Sequence, residues 1–68
     1  MSEFKDRLRG LRCERRMTQQ ELAKAVGVSK ASVSHWEAGA SQPSLSVALE
    51  LAELFGCTLD QLVGREGW

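Results

Sequence analysis

Two short amphipathic segments of this sequence are joined by only three residues, Gly27-Val28-Ser29, and this connection constrains the fold more than any other feature. The first segment opens on Thr18 and Glu21, a capping box in which each side chain accepts a hydrogen bond from the other residue's backbone N–H. The glycine suits the left-handed position that ends a helix, and the serine caps the next helix at once. A turn this short forces the second helix to cross the first steeply.

Capping residues and a helical period of apolar residues continue on both sides of this unit, which predicts an all-α fold. The 68 residues are enough for one domain. We expect five helices: one capped by Ser2, the crossing pair within about residues 18–37, one from Ser44 to Phe55, and a short one between Thr58 and Gly64. The fourth helix has an apolar stripe formed by Leu45, Ala48, Leu49, Ala52 and Phe55. Leu51 and Leu54 widen this stripe, so we expect this helix to be the most buried. Gly10 lies inside the first helix, where only close packing would explain a glycine.

The charges of the chain are separated along its length. Nine basic and nine acidic residues give a net charge of zero. Residues 1–37 hold eight basic and five acidic groups, a balance of +3, and residues 38–68 hold one basic and four acidic groups, a balance of −3. The basic half is therefore the candidate surface for phosphate groups.

The side chains needed for a metal centre or a reaction are scarce. Cys13 and Cys57 stand 44 positions apart beside a single histidine, which excludes a zinc site, and we expect free thiols in a reducing cytoplasm. No convergent acid, base and nucleophile is evident, so we expect no enzymatic activity, no cofactor and no small-molecule ligand. We also expect no contact with a membrane, since no leader segment and no membrane-length apolar run occurs.

The second helix of the crossing pair has an outward face suited to a groove. At about 100° per residue the outward residues are Ala31, Ser34 and His35, with Lys30 at the N-terminal end. A merely solvated helix would usually carry Glu and Lys pairs there, whereas this one carries no acid before Glu37. Such a face can enter a DNA major groove, about 12 Å wide, without a carboxylate that repels the phosphates. A helical hairpin with no ligand is the alternative.

A family resemblance is carried by the stretch Met17-Thr-Gln-Gln-Glu-Leu-Ala-Lys-Ala-Val-Gly-Val-Ser-Lys-Ala-Ser-Val-Ser-His-Trp-Glu-Ala-Gly and by Gln42-Pro43-Ser44-Leu45. Over about residues 4–64 the chain resembles the lambda-repressor-like helix-turn-helix family, of Cro/cI or XRE type. The resemblance implies a five-helix DNA-binding domain whose third helix lies in the major groove.

The resemblance also implies roles for individual residues. It places Gln19 against the DNA backbone and gives base-reading positions to Lys30, Ala31, Ser34 and His35. We expect further backbone contacts from Ser29, Ser32, Arg12, Arg16 and Ser41. The chain departs from the family pattern at Ala38, often Asn or Arg, and at residues 40–42, which are often basic, so phosphate binding should be weaker there.

An ion pair in the interior is expected between Arg12 and Glu37. Arg12 follows Leu8 by one turn and so shares the core-facing side of the first helix, while Glu37 lies on the inward side of the third. The resemblance places an arginine–glutamate pair at the same two positions. A guanidinium and a carboxylate can form two parallel hydrogen bonds, which a lysine cannot.

The C-terminal region, about residues 57–68, is expected to pair two copies of the chain. One recognition helix covers only a few base pairs, whereas a two-fold dimer presents two helices about 34 Å apart, one turn of DNA. The expected interface consists of Leu59, Leu62, Val63 and Trp68. The alternative is that the three aliphatic residues close the core of a single chain.

These features predict a sequence-specific binder of double-stranded DNA, a homodimeric regulator that represses transcription in the cytoplasm from a palindromic operator. Phosphate contacts would supply affinity, and the third helix would supply specificity. The alternative is a protein-interaction module of the same fold, for example an antitoxin whose main partner is a toxin.

Overall fold

Five α-helices and the turns between them form the protein in the computed structural model, which describes residues 4–63. The helices are α1 (Phe4–Glu14), α2 (Gln19–Val26), α3 (Lys30–Ala38), α4 (Leu45–Phe55) and α5 (Leu59–Val63). No strand occurs within these residues, which confirms the all-α prediction. None of their helices has the length and apolar character needed to cross a membrane. The expected cap of α1 at Ser2 lies outside the described residues.

Side-chain caps define where most of the helices begin. At α2 the backbone N–H of Glu21 donates to the Thr18 hydroxyl over 3.0 Å, and the Thr18 N–H donates to the Glu21 carboxylate over 2.8 Å. The Thr58–Gln61 pair forms the same box at α5, with distances of 3.0 and 2.9 Å. A single serine hydroxyl caps α3, and another caps α4. Each of these starts is therefore determined by residues adjacent in sequence.

Gly27 ends α2 in the conformation that the short turn requires. Its φ of 72° lies in the left-handed region, and its N–H donates back to carbonyls of the last turn of α2. The N–H of Val28 does the same over 2.9 Å. α3 then begins within three residues and packs across α2, with Ala23 and Val33 both fully buried in the core.

The remaining helices close the core around the crossing pair. α1 packs on α3 and α5, and α4 packs on α2 and α5. Every helix supplies one of the largest fully buried side chains: Leu8, Leu22, Val33, Leu51 and Leu62. The core therefore supports α3 from one side and leaves its other face outward.

The apolar stripe expected along α4 is wrong at two positions. Ala48, Ala52 and Phe55 are buried, but Leu45 and Leu49 are 61% and 50% exposed. The inward arc of α4 is shifted because the helix packs on both α2 and α5, and Leu51, which widens the expected stripe, is fully buried. At about 100° per residue the two exposed leucines fall beyond the edge of that arc.

Two residues expected at a dimer interface belong to the core of the single chain. Leu62 is 0% exposed and Val63 is 9% exposed, because α5 packs against both α1 and α4. Leu59 is partly buried against the same core, and Trp68 lies outside the described residues. The prediction that Leu62 and Val63 face a partner is therefore wrong, since the chain's own helices already cover them.

Gly10 has no packing reason to be a glycine. A β-carbon at this position would meet no atom within 4 Å, so the close approach expected from the sequence is absent. A β-carbon at Gly27 would also meet no atom within 4 Å. Of these two glycines, however, only Gly27 has a positive φ. The two positions therefore differ in backbone conformation alone.

Alanine substitution should separate the two kinds of glycine. Gly27→Ala places a β-carbon in the left-handed region, so strain should lower the free energy of unfolding by about 1 kcal/mol. Gly10→Ala is the matched control in a right-handed helix, and it should raise the same quantity by about 1 kcal/mol. Urea unfolding of the parent and both variants measures the effects. Changes of the same sign at both positions would contradict this explanation.

Candidate nucleic-acid interface

The outer face of α3 is formed by the four side chains expected there. They are Lys30, Ala31, Ser34 and His35, and all four are exposed. On the opposite face Val33 and Trp36 are buried in the core. These two anchors fix the rotation of α3 about its axis, and so determine which residues face outward.

The beginning of α3 carries hydroxyl groups and no acid. The Ser29 hydroxyl accepts from the N–H of Ser32 over 3.2 Å, and the two hydroxyl oxygens lie 3.1 Å apart. No acidic residue occurs in α3 before Glu37. This end of the helix therefore combines polar side chains with the positive end of the helix dipole, which favours an anion.

Glu37 turns inward and pairs with Arg12, as expected from the sequence. Nε of Arg12 donates to Oε2 over 2.6 Å and Nη2 donates to Oε1 over 3.0 Å, so the contact is bidentate. The Arg12 and Glu37 side chains are only 13% and 5% exposed. The hydrogen bond to Glu37 raises the pKa of Arg12, and burial opposes that rise.

Arg12 also binds the backbone at the end of α1. Its Nη1 donates to the carbonyl of Met17 over 2.7 Å, which ties α1 to the turn before α2. All three nitrogens of the guanidinium thus have a partner inside the protein. The expectation that Arg12 contacts the DNA backbone as well receives no support, because the group is neither exposed nor free.

A cleft of about 270 Å³ opens beside this pair, and we call it the Gln19 cleft. Its lining comes from three helices: Arg9, Arg12, Gln19, Ser34, Glu37 and Ala38. Within it, Nε2 of Gln19 donates to Oε1 of Glu37 over 3.2 Å. The fold therefore brings one expected backbone contact, Gln19, next to one expected base-reading residue, Ser34.

Two arginines of the basic half donate to backbone carbonyls of the C-terminal half of the chain. Arg7 donates to the carbonyl of Gln61 in α5 over 3.0 Å, and Arg15 donates to the carbonyl of Leu54 in the last turn of α4 over 3.2 Å. The Arg15 guanidinium also lies 5.7 Å from the centre of the Phe55 ring. Both side chains therefore tie helices together.

The other expected backbone contacts lie apart from the Gln19 cleft. Arg16 is exposed in the turn between α1 and α2, with a left-handed φ of 55°. Ser41 lines a different cleft, of about 290 Å³, together with Lys5 and Trp36. The two clefts share one lining residue, Ala38 at the end of α3.

Two further basic residues line these clefts. Lys5 lines the cleft with Ser41, and Arg9 lines the Gln19 cleft. From the sequence, Arg9 could be either a phosphate contact or solvated surface, whereas Lys5 was not singled out. The signal that could have identified Lys5 is its spacing, because Lys5, Arg9 and Arg12 follow one another at i, i+4 and i+7 on one face of α1.

The cysteines and acidic residues form no further centre in the described part of the chain. Cys13 and Cys57 are both free thiols. Within residues 4–63, no group of three or more His, Cys, Asp or Glu side chains is arranged to hold a metal ion.

Comparison with known proteins gives matches over nearly the whole chain. The family model described as helix-turn-helix (HTH_3) matches residues 8–62. The HTH-type transcriptional regulator AnsR of Bacillus subtilis is 39% identical over 61 residues, which are 90% of this chain and 53% of that protein. The HTH-type transcriptional activator BcrR of Enterococcus faecalis is 33% identical over 64 residues, which are 94% of this chain and 31% of that protein. The chain therefore spans about a third and about a half of the length of these relatives.

The fold is also that of a repressor solved on DNA. The crystal structure of the P22 c2 repressor protein in complex with synthetic operator 9T matches with a TM-score of 0.89 and 29% identity. The match covers 97% of this chain and 100% of that chain.

Breaking the ion pair should destabilise the protein strongly. Glu37→Ala should lower the free energy of unfolding by about 3 kcal/mol, because Arg12 is left in the interior without its anion. The matched control replaces both partners, Arg12→Met with Glu37→Met, and should recover most of that loss. Chemical denaturation measures all three proteins. A Glu37→Ala variant whose free energy of unfolding stays within about 0.5 kcal/mol of the parent value would contradict the structural role of the pair.

Proposed function

The chain belongs to the XRE-type helix-turn-helix family, and we propose on this premise that it binds double-stranded DNA sequence-specifically and represses transcription by occupying an operator. The observation that carries the proposal is the outer face of α3, which has short side chains, one lysine and one histidine, and no acid before the inward Glu37. A face of this size and charge fits the major groove. The P22 c2 repressor, which shares the fold, has a crystal structure in complex with a synthetic operator.

The four outward residues of α3 would read base edges. Lys30 and His35 can donate to N7 or O6 of guanine, and the methyl group of Ala31 can pack against the methyl group of thymine. Ser34 can donate or accept, so it suits several bases. The short side chains would let the helix axis approach the floor of the groove.

Contacts with phosphates would supply most of the affinity. Arg9 and Gln19 line one cleft beside α3, and Lys5 and Ser41 line another. Arg16 and the hydroxyl groups of Ser29 and Ser32 would add further donors. Because the cations would release counterions from DNA, binding should weaken steeply as the salt concentration rises.

We also propose that the protein binds a palindromic operator as a homodimer. The longest dimension of the molecule is 27 Å, less than the distance of about 34 Å that separates successive major-groove half-sites. One chain would therefore read only one half-site. Of the expected interface, Leu59 and Trp68 remain as candidates, since Leu62 and Val63 are part of the core.

Selection of bound duplexes from a random library tests the function most directly. We expect enrichment of a two-fold symmetric sequence, and a promoter that overlaps this sequence should lose transcription in vitro when the protein is added. No enrichment over random DNA would refute sequence-specific binding. Enrichment followed by increased transcription would refute repression but would leave sequence-specific binding supported.

Replacing His35 should change specificity as well as affinity. His35→Ala should weaken binding to the selected duplex by about 1–3 kcal/mol and relax the preference at one base pair, because a donor to a base edge is lost. Lys24→Ala on the exposed side of α2 is the control and should leave that preference unchanged. Titration against the selected duplex and against random DNA measures both the affinity and the preference for the selected duplex. Equal losses on the two duplexes would show that His35 contacts only phosphate.

Sedimentation tests the dimer. At micromolar concentration we expect the mass of two chains, and two chains for each palindromic duplex. Leu59→Asp should shift the free protein toward a single chain, because a charge would then face the apolar part of the interface. A protein that stays monomeric and loads one chain on each duplex would contradict the dimer proposal.

A further inference from the structure

The amide of Gln19 is held in one orientation by an anion. Its Nε2 donates to Oε1 of Glu37 over 3.2 Å, and the same oxygen accepts from Nη2 of Arg12 over 3.0 Å. If the amide were turned over, its carbonyl oxygen would face the carboxylate, and two acceptors would meet without a hydrogen between them. Glu37 therefore selects which end of the amide points inward.

The amide nitrogen retains a second donor. A primary amide carries two N–H groups, and one N–H of Gln19 donates to Glu37. The other is left for an acceptor in the Gln19 cleft, which is also lined by Arg9, a residue with a cationic side chain, and by Ser34, a residue with a hydroxyl group. A cation, a hydroxyl and an N–H group around one space match the oxygen atoms of a phosphate group.

Arg12 offsets the negative charge of Glu37, so an anion can bind in the Gln19 cleft beside this carboxylate. A bare carboxylate would repel a phosphate, but both oxygens of Glu37 accept hydrogen bonds from the Arg12 guanidinium. With its side chain 5% exposed, Glu37 would act through Gln19 and would not touch the ligand itself.

We propose that Glu37 is a positioning residue for DNA binding, which holds Gln19 with an N–H group directed at a backbone phosphate. Gln19 is the first residue of α2, and Glu37 lies in the last turn of α3. The same carboxylate would thus tie the phosphate contact of one helix to the position of the base-reading helix. This inference rests on the proposed DNA-binding function.

A double-mutant cycle tests the coupling. Gln19→Met removes the amide at nearly constant length, and it should weaken binding to the selected duplex about tenfold. In a protein that carries Arg12→Met and Glu37→Met, the amide is free to rotate, and the same change should cost only about twofold. Gln20→Met, at the exposed neighbouring glutamine, is the matched control and should have no effect in either background.

The salt dependence separates this role from a general loss of structure. Gln19→Met removes no charge, so the slope of log affinity against log salt should not change, whereas Arg9→Ala should reduce that slope by about one. Equal losses from Gln19→Met in the two backgrounds would overturn the proposal. If the parent protein binds no duplex at all, the proposed function fails instead.

Side-chain NMR of the parent protein gives a test that needs no variant to fold. The amide protons of Gln19 should have chemical shifts distinct from those of Gln20, because one of them donates to a carboxylate in the free protein. Coincident shifts for the two glutamines would overturn the proposal.

Discussion

The arrangement of the first three helices depends on one carboxylate. Glu37 of α3 accepts hydrogen bonds from Arg12 of α1 and from Gln19 of α2, and Arg12 binds the carbonyl of Met17 as well. The buried side chains Val33 and Trp36 fix which face of α3 lies inward. The hydrogen bonds of Glu37 are directional and little exposed, so they also hold α3 in place relative to α1 and α2. The outer face of a helix of only nine residues has a defined direction for both reasons.

The place of each arginine in the fold determines whether it binds a backbone carbonyl or stays available to a ligand. Arg7, Arg12 and Arg15 donate to backbone carbonyls, two of them in α4 and α5, so much of the basic half serves to hold the fold together. The positive charge available to a ligand is consequently smaller than a count of basic residues indicates. It is concentrated in the remaining cations of α1, the turn after it, and the start of α3.

The features that the sequence predicted well are local ones. A capping box depends on two residues three positions apart, and a left-handed glycine depends on its own backbone, so α2 and its junction with α3 could be located before any packing was known. The inward face of α4 depends on which helices lie beside it, and so Leu45 and Leu49 were misplaced. The burial of α5 likewise depends on contacts with α1 and α4, which periodicity does not specify. The bond between Gln19 and Glu37 joins residues 18 positions apart and has no local signature.

The separation of charge along the chain also bears on how the protein would meet DNA. With a net charge of zero, the molecule has almost no long-range attraction to a polyanion. It does have a separation of charge, because residues 4–38 carry eight basic and four acidic residues, whereas α4 and α5 carry the exposed acids Glu50, Glu53 and Asp60 and no cation. In the field of a duplex, a molecule with such a separation would turn its basic helices toward the phosphates during rotational diffusion.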